Sequence, residues 1–159
     1  MRRQLVFFSL AALVVFLDQA SKWWIRSTLS LGESLPPQGF FRLTFVTNTG
    51  AAFGLFPDQA VPLTFTAAIG VVALLLHYRW AVSNSLWLKG SLGLQLGGAI
   101  GNLIDRLRFG HVIDFLDFRV WPVFNLADSA IVMGAGILVY FLLFANKPAP
   151  LDQRQTRRS

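Results

Sequence analysis

Two aspartates stand where carboxylates are costly. Asp114 lies in "GHVIDFLDF", between Val112, Ile113, Phe115 and Leu116, and Asp128 lies in "VFNLADSAIVMGAGILVYFLLF", at the head of a run that reads as a membrane helix. Ionisable groups near bilayer depth are expensive and mark functional sites by default. The apolar flanks of Asp114 are expected to raise its carboxyl pKa by desolvation. If the segments that carry the two acids are neighbours, the carboxyls meet, and two carboxyls about 3 Å apart cannot both ionise. One holds a proton and the other does not. That state suits amide hydrolysis: the carboxylate takes a proton from the attacking water, and the acid donates to the carbonyl oxygen and then to the leaving nitrogen. No metal or cofactor is needed. The chain has no cysteine, only His77 and His111 far apart, and no G-x-S-x-G, which argues against a nucleophilic mechanism or a histidine metal site.

Other polar residues interrupt the apolar frame. Asn125 and Asp128 are spaced as the N-cap and N3 residues of a helix, a capping-box-like pair, and the acid suits the positive end of the helix dipole. An acid placed there can cap and still aim its free oxygen at a site. In "GNLIDR", Asn102 and Arg106 share a helix face, with Asp105 beside them. Arg106 is expected either to pair with Asp105 or to hold a carboxylate elsewhere in its charged, oriented form. Asp18 and Lys22 in "LDQASK" are four apart, so they either neutralise each other or face substrate. Gly93, Gly97 and Gly101 form a double G-x-x-x-G stripe that lets another helix approach. Asp117 reads as a surface acid.

The elements that must position these residues follow from composition. Of 159 residues 54% are hydrophobic and 14% charged, against about a quarter charged in an ordinary soluble domain. This predicts a single membrane-embedded domain over 1–159, all-α, with four transmembrane helices at about 5–25, 61–76, 86–104 and 126–144 and a polar tail over 147–159. The third span is the weakest, because it carries Lys89 and five glycines. The first could pass for a signal-peptide core behind "MRR", but "DQASKWW" follows it and not a small-x-small cleavage site. Four spans place both termini on one side. Eight of the fourteen Lys/Arg (Arg2, Arg3, Arg79, Lys89, Lys147, Arg154, Arg157, Arg158) then lie with the termini, which points that side inward. All five tryptophans, Trp23, Trp24, Trp80, Trp87 and Trp121, fall at span ends, as an interfacial aromatic belt would. The net charge of +6 sits mostly at the termini, with no basic stripe among aromatics, so it fits lipid headgroups and not nucleic acid. The segments 27–60 and 105–123 lie outside. "FRLTFVT" is strand-like and "NTG" is a turn signal, so a small extracytoplasmic β-sheet is expected there.

Five ordered motifs, "DQASK" (18–22), "NTGAAFG" (48–54), "GGAIGNLIDR" (97–106), "GHVIDF" (110–115) and "FNLADS" (124–129), carry a resemblance. The chain resembles the lipoprotein signal peptidases, the type II signal peptidases of bacteria. The resemblance implies an aspartic endopeptidase of the bacterial cytoplasmic (inner) membrane, with its site at the outer face. Its substrates would be prolipoproteins cut before a diacylglyceryl-modified cysteine. Asp114 and Asp128 would be the catalytic dyad, and Asn102, Arg106 and Asn125 the polar shell around it. Asp18, Lys22, Asn48 and Gly50 would support the site or bind substrate, as would Asp105 in the Arg106 motif. The family also implies inhibition by cyclic peptides such as globomycin, which occupy the dyad. The segment 40–54 is expected to lie over the bound peptide as a moving clamp.

Two other readings compete. Asp105, Asp114 and Asp117 are loosely spaced like the metal carboxylates of a membrane phosphotransferase, which predicts activity lost to chelation. A transporter or channel subunit would use the same acids as proton or ion sites and would cleave nothing.

Overall fold

The structure, a computed structural model, describes residues 2–50, 60–80 and 85–145. Residues 51–54 of the "NTGAAFG" motif and of the expected clamp, the 81–84 part of the loop between the second and third helices, and the tail 147–159 lie outside the described residues.

Four helices form: α1 (Arg2–Thr28), α2 (Ala60–Trp80), α3 (Leu86–Phe109) and α4 (Leu126–Tyr140), the last running into a π-helical turn at Phe141–Ala145. Each matches an expected apolar stretch, but α1, α2 and α3 run past it. The reason is that helical hydrogen bonding continues wherever the next residues find partners. In α3 the polar segment after 104 stays helical because Asp105 is buried against α1, and the helix ends at Gly110, whose positive φ of 76° lets its N–H close on Arg106 O. Three segments, Gln4–Thr28, Val61–Tyr78 and Leu126–Phe144, are long and apolar enough to cross a membrane. The remaining helix, α3, spans ~36 Å at 1.5 Å per residue but is more polar.

That helix packs at the centre. Its glycine stripe faces α1: a methyl at Gly93 would sit 2.8 Å from Phe7 O, one at Gly97 2.6 Å from Val14 Cβ, and one at Gly101 2.6 Å from Asp18 Oδ2. Gly98 faces α4 and lies against Ala127 O, while Gly134 of α4 lies against Ser91 O of α3. The small residues therefore set both helix separations. Phe7, Ala11, Leu88, Leu92 and Leu96 make the main core, with Val71, Leu74 and Tyr78 of α2 packed against it. On the outside of α2, Val61, Phe65, Ile69 and Val72 are each more than half exposed, an apolar face suited to lipid tails.

The expected strand is present as β2 (Arg42–Asn48). It is the middle of a three-stranded antiparallel sheet with β1 (Ser34–Leu35) and β3 (Val112–Asp117). The register pairs Asn48 with Val112 and Arg42 with Asp117, with an irregularity between Leu43 and Val46. Strand β3 is legible only in the structure. Five of its six residues are buried, so both faces are covered and no alternation of apolar and polar residues appears. Ile25 of α1 and Leu29, just past its end, pack with Phe115, which seats the sheet on the end of the bundle.

Candidate active site

Strand β3 and the head of α4 bring the two acids together. Asp114 is 2% exposed, on a strand pinned by the β2 ladder and by a bridge between Leu116 and Phe124. Asp128 is the third residue of α4, whose N-cap Asn125 accepts from the Asp128 N–H at 2.9 Å. The capping geometry expected from the sequence is therefore present, and the Asp128 side chain is still free to act elsewhere.

Two side-chain amides join the carboxyls. Asn125 Nδ2 donates to Asp114 Oδ1 at 2.6 Å and to Asn102 Oδ1 at 3.1 Å, and Asn102 Nδ2 donates to Asp128 Oδ1 at 2.7 Å. On the other side Asn48 Nδ2 donates to Asp114 Oδ2 at 3.0 Å. An amide can flip unless its oxygen is claimed by an obligate donor. Here all three oxygens are claimed. Asn125 Oδ1 takes the Asp128 N–H, Asn102 Oδ1 takes Lys22 Nζ at 3.0 Å, and Asn48 Oδ1 takes the Gly50 N–H at 2.9 Å. Each –NH2 group is thus fixed toward an aspartate.

Behind the amides lies a buried charged cluster. Lys22, 2% exposed, donates to Asp18 Oδ2 at 2.9 Å, Asp105 Oδ2 at 2.8 Å and Asn102 Oδ1, which uses its three protons on three acceptors. Asp18, fully buried, accepts from the Ala127 N–H at 3.0 Å, so it caps α4 from another helix. Asp105 accepts from the Ile113 N–H at 3.1 Å, next to Asp114. The self-neutralising reading of Asp18 and Lys22 describes this geometry, and neither side chain faces open space. Gln19 was not singled out from the sequence, yet its Nε2 reaches Asp18, Gly101 O and Asp105 Oδ1 at 3.0–3.2 Å. The signal available was its place on the same helix turn as Asp18.

Two expectations are corrected. Asp105 pairs with Lys22 and not with Arg106, because the packing of α1 on α3 brings the lysine across. Arg106 instead donates to Gly50 O at 3.4 Å. Asp117 is not a surface acid: it is 5% exposed and accepts from Arg42 Nη2 at 2.6 Å, Thr44 Oγ1 at 2.8 Å and the Arg119 N–H at 2.8 Å. Arg42 and Thr44 went unnoticed because their partner lies 75 and 73 residues away.

Electrostatics separate Asp114 from Asp117, the two acids of β3. Burial, then the nearby charge of Asp128, pushes the Asp114 carboxyl up to about 6, against the pull of the Asn48 and Asn125 hydrogen bonds. Burial also acts on Asp117, but the hydrogen bonds from Arg42, Arg119 and Thr44 outweigh it and hold that carboxyl low. The phosphotransferase reading needs Asp105, Asp114 and Asp117 to converge. Asp105 reaches Asp114 only through Lys22, Asn102 and Asn125, Asp117 is held apart by Arg42 and Thr44, and among the described residues no three His, Asp or Glu side chains are grouped as metal ligands.

Asp114 and Asp128 open on one cavity of about 600 Å³. Asn48 and Ser129 complete its polar floor, and Trp121, Phe124, Ile131, Val132 and Met133 make apolar walls. An acid pair, one member buried and the other half-buried, oriented by amides at the foot of an apolar-walled cavity, is equipped to activate water on a substrate with an apolar body.

Comparison with known proteins agrees with that chemistry. The model of the signal peptidase (SPase) II family matches residues 10–144. A lipoprotein signal peptidase of Moorella thermoacetica is 51% identical over 138 residues, covering 86% of this chain and 92% of the relative. One from Halothermothrix orenii is 46% identical, covering 82% and 90%. A solved bacterial membrane enzyme superposes with a TM-score of 0.82 at 29% identity, covering 92% of this chain and 94% of that one.

Proposed function

The chain belongs to the signal peptidase II family, a family of peptidases, and from that premise we propose that Asp114 and Asp128 are its catalytic pair. The observation that carries this reading is the junction of their carboxyls through Asn125 and Asn102 at the foot of one cavity. One aspartate, ionised, takes a proton from water as the water oxygen bonds to the scissile carbonyl carbon. The other, protonated, donates to the carbonyl oxygen. Collapse of the tetrahedral intermediate breaks the C–N bond, and the nitrogen leaves with a proton from the dyad. Asn102 and Asn125 orient the acids, and Asn48 holds Asp114. Arg106 holds the backbone at Gly50, next to Asn48, and the buried Asp18, Lys22 and Asp105 fix the frame behind.

The substrate is the precursor of a lipoprotein: an apolar signal helix followed by a diacylglyceryl-modified cysteine. The apolar cavity walls suit both. Cyclic peptides such as globomycin would compete for the same dyad. All four helices cross the cytoplasmic membrane, α3 being shielded by its neighbours. Both termini lie inside, and the sheet and dyad lie at the outer interface, where water and lipid meet.

The test is cleavage of a diacylglyceryl-modified prolipoprotein by the purified protein in detergent, with chelator present. Asp114→Asn and Asp128→Asn should each fold and lose about 100-fold or more in rate, the scale of general acid–base catalysis. Parent-like cleavage by either variant would remove that aspartate from the mechanism.

A further inference from the structure

Two arginines at the site end of the bundle converge on a single ring. Arg26 is in the last turn of α1, and its guanidinium carbon lies 4.1 Å from the centre of the Phe109 ring. Arg108 is in the last turn of α3, with its guanidinium carbon 5.6 Å from the same centre. Both are exposed. Among the described residues neither has a carboxylate within 4.0 Å, and neither donates a side-chain hydrogen bond. Neither arginine, then, is serving to cap its own helix carbonyls.

A guanidinium over an aromatic face leaves its in-plane N–H groups open, and those groups match the oxygens of a phosphate. Trp23, one turn before Arg26, is 71% exposed, and Leu107 beside Arg108 is 70% exposed. An apolar surface thus adjoins two unneutralised cations. We propose that Phe109, Arg26 and Arg108 form a binding site for the phosphate of a membrane phospholipid headgroup, whose acyl chains lie along Trp23 and Leu107. The charge complementarity and the adjoining apolar surface select a lipid over a free anion. The site adds a lipid contact outside the cavity that holds Asp114 and Asp128. It rests on the reading that this end of the bundle meets a headgroup layer.

The experiment uses the full chain. Its thermal midpoint in detergent is followed against dioctanoyl phosphatidylglycerol, dioctanoylglycerol and inorganic phosphate. The same chain is inserted in nanodiscs of phosphatidylglycerol and phosphatidylcholine, and retained lipid is counted by native mass spectrometry. The parent should be stabilised by the phospholipid and by neither of the other two. The double variant Arg26→Gln/Arg108→Gln should need ~25-fold more phospholipid, about fivefold per arginine. Arg119→Gln, an exposed arginine elsewhere, should behave as the parent. Phe109→Leu, which keeps both charges but removes the ring, should weaken binding by a smaller factor. Equal stabilisation by dioctanoylglycerol, full stabilisation by phosphate alone, or parent-like binding by the double variant would each overturn the site. A chain that did not enter nanodiscs would overturn the membrane reading beneath it.

Discussion

Replacing Gly98 with alanine should damage catalysis without touching a polar residue. Gly98 sits on the α4 face of α3, one turn before Asn102. The added methyl would lie 2.8 Å from Ile131 Cγ1 and closer still to Ala127 O, a backbone atom next to Asp128. An ordinary contact begins near 3.4 Å, so α3 and α4 must part by about 1 Å. Separation on that scale opens the 2.7 Å bond from Asn102 to Asp128 to about 3.7 Å, beyond hydrogen-bond range. Overpacking costs ~1–3 kcal/mol of stability, and a misplacement of about 1 Å at reacting groups can cost ~100-fold in rate. Steady-state cleavage of a lipidated prolipoprotein, read beside the thermal midpoint in detergent, separates the two losses. Gly136→Ala is the control, because a methyl there meets nothing within 4 Å. If Gly98→Ala kept the parent kcat with a comparable midpoint, close α3–α4 contact would not be what positions Asp128.

Four further outcomes are expected. The profile of kcat/KM should carry a basic limb near pH 6, because above that value Asp114 loses its proton and the pair becomes doubly ionised. Asn48→Ala removes a donor that favours the Asp114 carboxylate, so the limb should move to higher pH, and an unmoved or lowered limb would contradict that pairing. Asp117→Asn should lower stability by ~1–3 kcal/mol at neutral pH, measured by thermal unfolding. The Asp117 pKa is depressed on folding, so its contribution is present above the unfolded value and fades as pH falls through the lower folded one. The gap between parent and variant should therefore begin to close only below about pH 4 and vanish below the depressed folded value. Lys22→Met strands Asp18 and Asp105 as buried unpaired charges and should cost about 3–5 kcal/mol, seen as lost monodisperse protein on gel filtration; a parent-like thermal midpoint would argue that the cluster is not ionised.

Local pattern was enough for much of this protein. The apolar runs marked four helices, because hydrophobic composition is a property of consecutive residues. The N-cap spacing of Asn125 and Asp128 placed an acid at a helix head, since capping involves only neighbours in the chain. The glycine stripe announced close packing of α3. Asp114 and Asp128 stood out because carboxylates among apolar residues are rare for energetic reasons. What composition and spacing left open was which groups meet. Asp18 caps α4 across 109 residues, Asp105 chooses Lys22 over the Arg106 next to it, and Arg42 finds Asp117 on a strand that no alternation revealed. These choices depend on how closely helices and strands approach, and that distance is set by glycines and by burial on both faces. A carboxylate can be read from one letter of sequence. Its partner, its depth and hence its proton are decided only when the chain has folded around it.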